Sequence, residues 1–149
     1  MIKDLLNAKG VFGFTILDAK TGDILQKYED NNLVVTLGHG NIAKLLGGNP
    51  SGLAITKIAL GTNGTPPALT DNTITGAFTK SITAVSYPDT NSVRFSWEID
   101  ATEANGMTIR EFGLLTSSDV LCARKVRDGE IVKTAAVRLV GTWKITINS

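Results

Sequence analysis

The stretch of this chain that most resembles a chemical site is a glycine-containing turn in its first third. Residues 38–43 read Gly-x-Gly-x-x-Ala and stand between an extended run and a helical pattern. This is the outline of a dinucleotide-binding turn, in which a helix N-terminus points at a pyrophosphate. Such a site also needs an acid about 20 positions further on for the ribose, and the first acid after this motif is Asp71. The glycines therefore indicate a tight strand-to-helix turn, and no cofactor is predicted.

The single histidine, His39, and the single cysteine, Cys122, offer little for catalysis or metal binding. A zinc site requires about four ligands. A Ser-His-Asp hydrolase would use His39 together with a Gly-x-Ser-x-Gly turn, which this chain lacks. We interpret His39 as a polar turn residue and Cys122 as a small core residue. The sequence predicts no catalytic, cofactor-binding or metal-binding residues.

Four carboxylates could lie on neighbouring strands, namely Glu98, Asp100, Glu103 and Glu111. Two carboxylates roughly 5–10 Å apart would suit glycoside hydrolysis. Glu98 and Asp100, however, fall on the polar side of an alternating strand, where charged side chains are expected on a solvated surface. We interpret these carboxylates as surface charge.

Glu111 differs from the other carboxylates because it shares the parity of the apolar residues Ile109 and Leu115. This parity predicts a side chain that points inward. A buried carboxylate requires a cation or backbone N–H groups as partners. Arg124 or Arg138 could supply the cation, and we expect a buried ion pair with a structural role.

Two strands with strict alternation are expected to position the core. Residues 137–147 place apolar or small side chains at every second position, and residues 93–100 follow the same design. A period of two predicts strands with one buried and one solvated face. Each strand directs one of the two tryptophans inward, and an earlier strand adds two phenylalanines. The predicted core residues are Phe12, Phe14, Val93, Phe95, Trp97, Ile99, Val137, Leu139, Trp143 and Ile145.

The chain as a whole reads as a mainly β protein. Turn residues separate about nine or ten short strands, and we predict a two-sheet antiparallel β-sandwich. The one helical pattern covers residues 38–47 and is followed by glycine and proline. Breaks between strands are predicted at 30–32 and 128–129. Residues 1–9 are expected to form an N-terminal arm, and residues 10–149 a single domain.

Composition and charge speak against several classes of partner. The net charge of +1 provides no bulk field that would attract nucleic acid or an anionic membrane. No apolar run approaches the roughly 20 residues that a membrane helix needs, and the start of the chain lacks the pattern of a signal peptide. Basic residues at 124–127 are not interleaved with aromatic residues that could stack on bases. We predict no nucleic-acid or membrane partner and synthesis in the cytoplasm.

Several motifs follow one another in an order that points to a family. Residues 58–67 read Ile-Ala-Leu-Gly-Thr-Asn-Gly-Thr-Pro-Pro, and residues 109–115 read Ile-Arg-Glu-Phe-Gly-Leu-Leu. Then come Leu-Cys-Ala-Arg at 121–124, Ile-Val-Lys at 131–133 and the last long strand. This order resembles a domain of tail-fibre and related virion structural proteins of tailed bacteriophages. The resemblance covers about two-thirds of the chain.

The resemblance implies a non-catalytic virion component that is assembled from several copies in the host cytoplasm. Its expected partners are itself, as a homo-oligomer, and other virion proteins. The chain ends at Ser149, directly after the domain, so we expect a compact adaptor or fibre-attachment module of the tail, baseplate or collar instead of a long fibre. One alternative is a capsid-decorating (cement) protein. Another is a carbohydrate-binding module that uses Trp97 or Tyr87 on a host glycan.

Two stretches are candidates for contacts between subunits. The N-terminal arm carries apolar residues that a neighbouring subunit could cover, and the loop at 61–68 is rich in Thr, Asn, Gly and Pro. Loops of this kind often carry binding residues. The residues we assign to these contacts are Leu5, Leu6, Asn63, Thr65 and Pro66.

Overall fold

The computed structural model describes residues 7–148, and this range forms nine β-strands and one α-helix. The elements are β1 (Asn7–Asp18), β2 (Ile24–Val34), α1 (Thr36–Leu46), β3 (Ile55–Gly61), β4 (Phe78–Ser81), β5 (Ala84–Ser86), β6 (Ser92–Ile99), β7 (Thr108–Thr116), β8 (Leu121–Val132) and β9 (Val137–Asn148). The prediction of a mainly β protein with one short helix is confirmed. The helix begins two residues earlier than predicted, and Gly47 lies at its C-terminal end.

The strands form one antiparallel sheet in the order β4-β3-β7-β8-β2-β1-β9-β6-β5. The antiparallel pairing was predicted, but two separate sheets were also predicted, and the structure has one curled sheet instead. The reason is β2, which pairs with β1 over most of its length and then with β8 through Leu33 and Val34. One long strand therefore belongs to both halves of the sheet, and its backbone hydrogen bonds join them.

The curl brings the two edges of the sheet close together. The edge strands β4 and β5 are consecutive in the chain and are joined by Ile82 and Thr83 alone. The Ile82 amide donates to the Thr56 carbonyl of β3, and the Thr83 amide donates to the Ser96 carbonyl of β6. Because consecutive Cα atoms are about 3.8 Å apart, this short link holds the edges within about 11 Å of each other.

The inside of the curl is the main hydrophobic core, with Phe12 near its centre. Its ring centroid lies 4.6 Å from that of Phe112, 4.8 Å from Trp143 and 5.9 Å from Trp97. Phe112 belongs to one half of the sheet and the tryptophans to the other, so these contacts span the core. Of the residues assigned to the core, Val93 and Val137 are partly buried, and the others are buried: Phe12, Phe14, Phe95, Trp97, Ile99, Leu139, Trp143 and Ile145.

Three local expectations need correction. Residues 30–32 do not break β2, because they stay paired with β1. Residues 128–129 lie within β8, although its register shifts there and Gly129 takes a φ of +78°. Within the predicted arm, residues 7–9 already belong to β1 and pair with β9. Residues 30–32 and 7–9 are extended because a neighbouring strand pairs with them. Residues 127–130 have no partner in β7 and are instead the extra residues of a bulge in β8.

Candidate functional site

Glu111 of β7 occupies a position that a register shift creates. Ile109 pairs with Ile131 of β8, whereas Glu111 pairs with Val126, so one residue of β7 stands opposite the four residues 127–130 of β8. This bulge changes the parity of the strand. Ile109 points into the main core, and so does Phe112, which directly follows Glu111. Glu111 therefore faces away from the main core, towards the loop that connects β3 with β4.

The Glu111 carboxylate is fully buried and uses both of its oxygens. Oε2 accepts a hydrogen bond of 2.7 Å from the Nε of Arg124. Oε1 accepts one of 2.7 Å from the Thr75 amide and one of 3.3 Å from the Asn63 amide. The Arg124 side chain is 2% exposed and that of Glu111 is 0% exposed. Burying two charges is tolerable here because they are paired and hydrogen-bonded.

The guanidinium of Arg124 extends this network to a second carboxylate and to the backbone. Its Nη1 lies 2.8 Å from Oδ2 of Asp71, and its Nη2 donates to the Asn63 carbonyl at 3.1 Å. Asp71 Oδ2 also accepts a hydrogen bond of 2.9 Å from the Ala68 amide. The planar donors of arginine suit this divergent set of acceptors. One cation thereby holds two carboxylates and three segments of the chain together.

The network clamps residues 62–75, which we call the clamped loop, onto the outside of β3, β7 and β8. Ile74 is the buried apolar side chain of this loop. It packs over Gly61 and Gly113, where a Cβ would lie 2.4 Å and 2.7 Å from its side-chain atoms. Only glycine permits this close approach. The loop is therefore held by an ion-pair network, by backbone hydrogen bonds and by one apolar anchor.

The tip of the clamped loop contains the three sequence-predicted contact residues that the structure describes. Asn63 is held from below through its amide and carbonyl, and its Oδ1 accepts a hydrogen bond of 3.0 Å from the Thr65 amide. Thr65 and Pro66 are exposed. The other two predicted contact residues, Leu5 and Leu6, lie outside the described residues.

Arg138 does not take part in the buried network, contrary to the alternative left open by the sequence. It projects from β9 in the other half of the sheet, where its Nη1 lies 3.1 Å from Oε1 of Glu98. The two side chains are 40% and 39% exposed. This pair is a surface ion pair of the kind that contributes little to stability.

Asp100 and Glu103, the other two of the four carboxylates considered in the sequence, stabilise the turn after β6. Asp100 accepts hydrogen bonds from the hydroxyl and the amide of Thr102, and these hold the pKa of Asp100 below its usual range. Glu103 accepts a hydrogen bond from the Asp100 amide and an ion pair from Lys80. The general acid of a glycosidase needs a raised pKa, which is the opposite of what the geometry imposes on Asp100.

Lys133, the lysine of the Ile-Val-Lys motif, is a buried cation and not part of a basic surface. Its Nζ donates to the Asn105 side-chain oxygen and to the Thr134 carbonyl, both at 2.9 Å. Burial lowers the pKa of Lys133, while the nearby charges of Asp100 and Glu103 act in the opposite direction. The contacts hold the end of β8 against the turn that precedes β7.

The glycine-containing turn at the start of α1 is a packing contact. A Cβ on Gly38 would lie 2.1 Å from the Cys122 carbonyl oxygen, so only glycine lets the helix lie against β8. The Thr36 amide at the helix start donates to the Leu69 carbonyl, and the amides of Gly38 and His39 donate to the Val35 carbonyl. These amides are already used within the protein, and the His39 side chain is exposed.

An apolar groove of about 440 Å³ lies beside α1, and the sequence did not predict it. We define the groove by the surfaces that line it: one side of α1, the segment before β3, and side chains of β2, β5, β6, β8 and β9. Its rim includes Val85, which is 48% exposed, and Tyr87, which is 77% exposed. Such a volume is in the range of small-molecule and side-chain binding sites.

Between residues 7 and 148, no group of three or more His, Cys, Asp or Glu side chains is placed to hold a metal ion. Within the same described range, no helix is long and apolar enough to cross a membrane. Comparison with protein-family models, with curated proteins and with solved structures finds no match for this chain.

Proposed function

We propose that this protein is a non-catalytic structural component of a tailed-bacteriophage virion, an oligomeric adaptor of the tail, baseplate or collar. In this proposal the two halves of the curled sheet serve as the layers of a sandwich, and the clamped loop is the surface that contacts another virion protein. The order of motifs along the chain supports the virion assignment. The observation that carries the contact surface is the buried pair of Glu111 and Arg124 beneath an exposed loop.

The buried network preorganises the clamped loop for binding. A buried charge network is costly to assemble and adds little net stability compared with apolar packing. Here it holds the backbone of Asn63 from below while Thr65 and Pro66 stay exposed. A loop that is already ordered loses less conformational entropy when a partner binds it. The network thus gives the loop a fixed shape. A contact that is repeated in every copy of an assembly requires such a shape.

The capsid-decorating alternative would use the same surface, so the site of attachment on the particle separates the two. The carbohydrate-binding alternative has less support. Trp97 and Trp143 are 1% and 0% exposed, so neither indole is available to stack on a sugar ring. Tyr87 is exposed, but the groove beside it is almost entirely apolar and offers few partners for sugar hydroxyls.

The test is immunogold labelling of purified phage particles with an antibody against this chain. Labelling of the tail, baseplate or collar is expected. Labelling confined to the capsid would favour the decorating protein, and absence from purified particles would overturn both. Thr65→Arg should abolish incorporation without loss of folding, because it changes the exposed tip of the clamped loop. The matched control is Thr142→Arg, an equivalent change at an exposed position of β9, which should leave incorporation intact.

A further inference from the structure

The apolar groove beside α1 is bordered by β5, the last strand of the sheet. Val85 and Tyr87 have the same parity, and both line the groove although they are 48% and 77% exposed. Tyr87 thus stands at the rim as a protruding aromatic side chain next to an apolar depression. The turn that follows it, residues 87–91, is exposed throughout. In a two-fold dimer the same patch of both copies meets, so the protrusion of one copy must fit into the depression of the other.

β5 is a short edge strand of three residues without a charged side chain, and Pro88 follows two residues after its end. In the described part of the chain, β5 pairs with β6 on one side and with no strand on the other. Residues 84–87 read Ala-Val-Ser-Tyr and contain no charge, no proline and no glycine. The opposite edge strand, β4, carries Lys80, which forms an ion pair with Glu103. Natural edge strands commonly use such lysines against unwanted pairing, so β5 is the edge that is open to a partner.

We infer that a second copy of this chain covers the groove, through a two-fold contact in which the β5 strands of both copies run antiparallel and side by side. Val85 and Tyr87 of each copy then contact the groove of the other, and the sheet continues across the axis. Because residues 84–87 are uncharged, the two-fold axis places no like charges opposite each other within the strand pair. This inference rests on the proposed function, for which it supplies the contact between copies.

The required interface is of ordinary size for this protein. A stable dimer buries about 800 Å² on each partner, which is about a tenth of the 8099 Å² of accessible surface. The apolar lining of the groove, the exposed rim of β5 and the exposed Leu45 of α1 lie on this side of the molecule. In the two-fold contact Tyr87 lies between the two copies, and an aromatic side chain buried in this way is the type of residue that dominates binding energy.

The test is sedimentation equilibrium of the whole chain over a range of concentrations. The wild type is expected to dimerise, and Tyr87→Lys and Val85→Lys should each weaken dimerisation about 30-fold or more, as for a central interface residue. Circular dichroism checks that the variants remain folded, and Thr142→Lys on the outer side of β9 should dimerise like the wild type. The expected pattern is a dimer for the wild type and the control, and monomers for the two rim variants.

Two results would overturn this inference. One is a dimer that persists in both rim variants, which would place the contact elsewhere and leave the proposed function untouched. The other is a wild-type monomer whose groove binds an apolar dye such as anilinonaphthalene sulfonate, which would assign the groove to a small apolar ligand. If Tyr87→Lys breaks the dimer but the protein is absent from purified virions, the dimer contact stands and the proposed function alone is overturned.

Discussion

The Nε of Arg124 lies 2.7 Å from Oε2 of Glu111, and solvent reaches almost nothing of either side chain. The two residues lie on neighbouring strands, and between them they bind the backbone at both ends of the clamped loop. The ion pair therefore links the sheet with the exposed clamped loop. Breaking it should lower the stability of the sheet and loosen the loop.

Replacing Glu111 with glutamine should strongly destabilise the protein. The side-chain amide of glutamine has nearly the same shape as the carboxylate, but it is uncharged. The Arg124 guanidinium then has Asp71 as its remaining acidic partner. Loss of one member of a buried pair costs about 3–5 kcal/mol, and urea unfolding monitored by circular dichroism measures this difference. We also expect faster hydrogen exchange at the Asn63 and Thr75 amides, whose acceptor is weakened.

The matched control is Arg138→Met, which removes the surface ion pair with Glu98. This change should cost less than about 1 kcal/mol, since exposed pairs contribute little. Equal losses in Glu111→Gln and Arg138→Met would contradict the structural role assigned to the buried pair.

The two glycines of the turn before α1 should respond to alanine in opposite directions. A Cβ on Gly38 would lie 2.1 Å from the backbone oxygen of Cys122, whereas a Cβ on Gly40 meets nothing within 4 Å. Gly38→Ala should destabilise the protein by about 1–3 kcal/mol through overpacking. Gly40→Ala should stabilise it by about 0.5–1 kcal/mol, because alanine favours the helix. Thermal unfolding of both variants checks this, and a gain in stability from Gly38→Ala would disprove the packing contact.

Adjacent residues of β9 should differ sharply in their tolerance of aspartate. Trp143 is 0% exposed and packs against Phe12, so Trp143→Asp buries an unpaired charge and should unfold the domain. Lys144 lies on the outer side, directly opposite Arg94. Lys144→Asp replaces a like-charge pair with an opposite pair and should stabilise the protein by about 0.2–1 kcal/mol. Near-ultraviolet circular dichroism and thermal unfolding provide the measurement, and loss of folding in Lys144→Asp would refute the assigned orientation of β9.

Cys122 should make stability fall at alkaline pH. Burial raises the pKa of its thiol from 9.0 to about 11, because the thiolate is poorly solvated in the folded protein. The unfolded thiol ionises first, so this contribution to stability is fully present below pH 9.0 and is lost as the pH rises through about 11. At about 1.4 kcal/mol for each pKa unit, the loss is roughly 3 kcal/mol.

The measurement for Cys122 is the free energy of unfolding of the wild type and of Cys122→Ala across this pH range. Lysine and tyrosine titration is common to both proteins, so the difference between the two curves isolates the thiol. Parallel curves would show that the thiol is not protected in the folded state.

The alternation of side chains determined much of the fold without any tertiary information. Residues 93–99 and 137–145 alternate so regularly that both tryptophans could be assigned inward, and both are buried. The short helix followed from apolar spacing and from the glycines that end it. These features are local: the period of two or of 3.6 is a property of a single segment. The parity with Ile109 predicted that Glu111 points inward, but the bulge turns this carboxylate away from the main core, and the clamped loop and Arg124 bury it instead.

Only the tertiary structure decided which charged residues contact each other. Arg124 and Arg138 were equivalent candidates in the sequence, and the strand order placed Arg124 beside Glu111 and Arg138 beside Glu98. The single curled sheet, the clamped loop and the apolar groove likewise depend on pairings between residues far apart in the chain, such as Leu33 with Arg124. The types and spacing of side chains indicate which face of a segment is buried. Which strands pair, and in which register, depends on the sum of many weak contacts between distant segments. For this reason the sequence determined the strands and their buried faces, and the fold alone determined the site that they support.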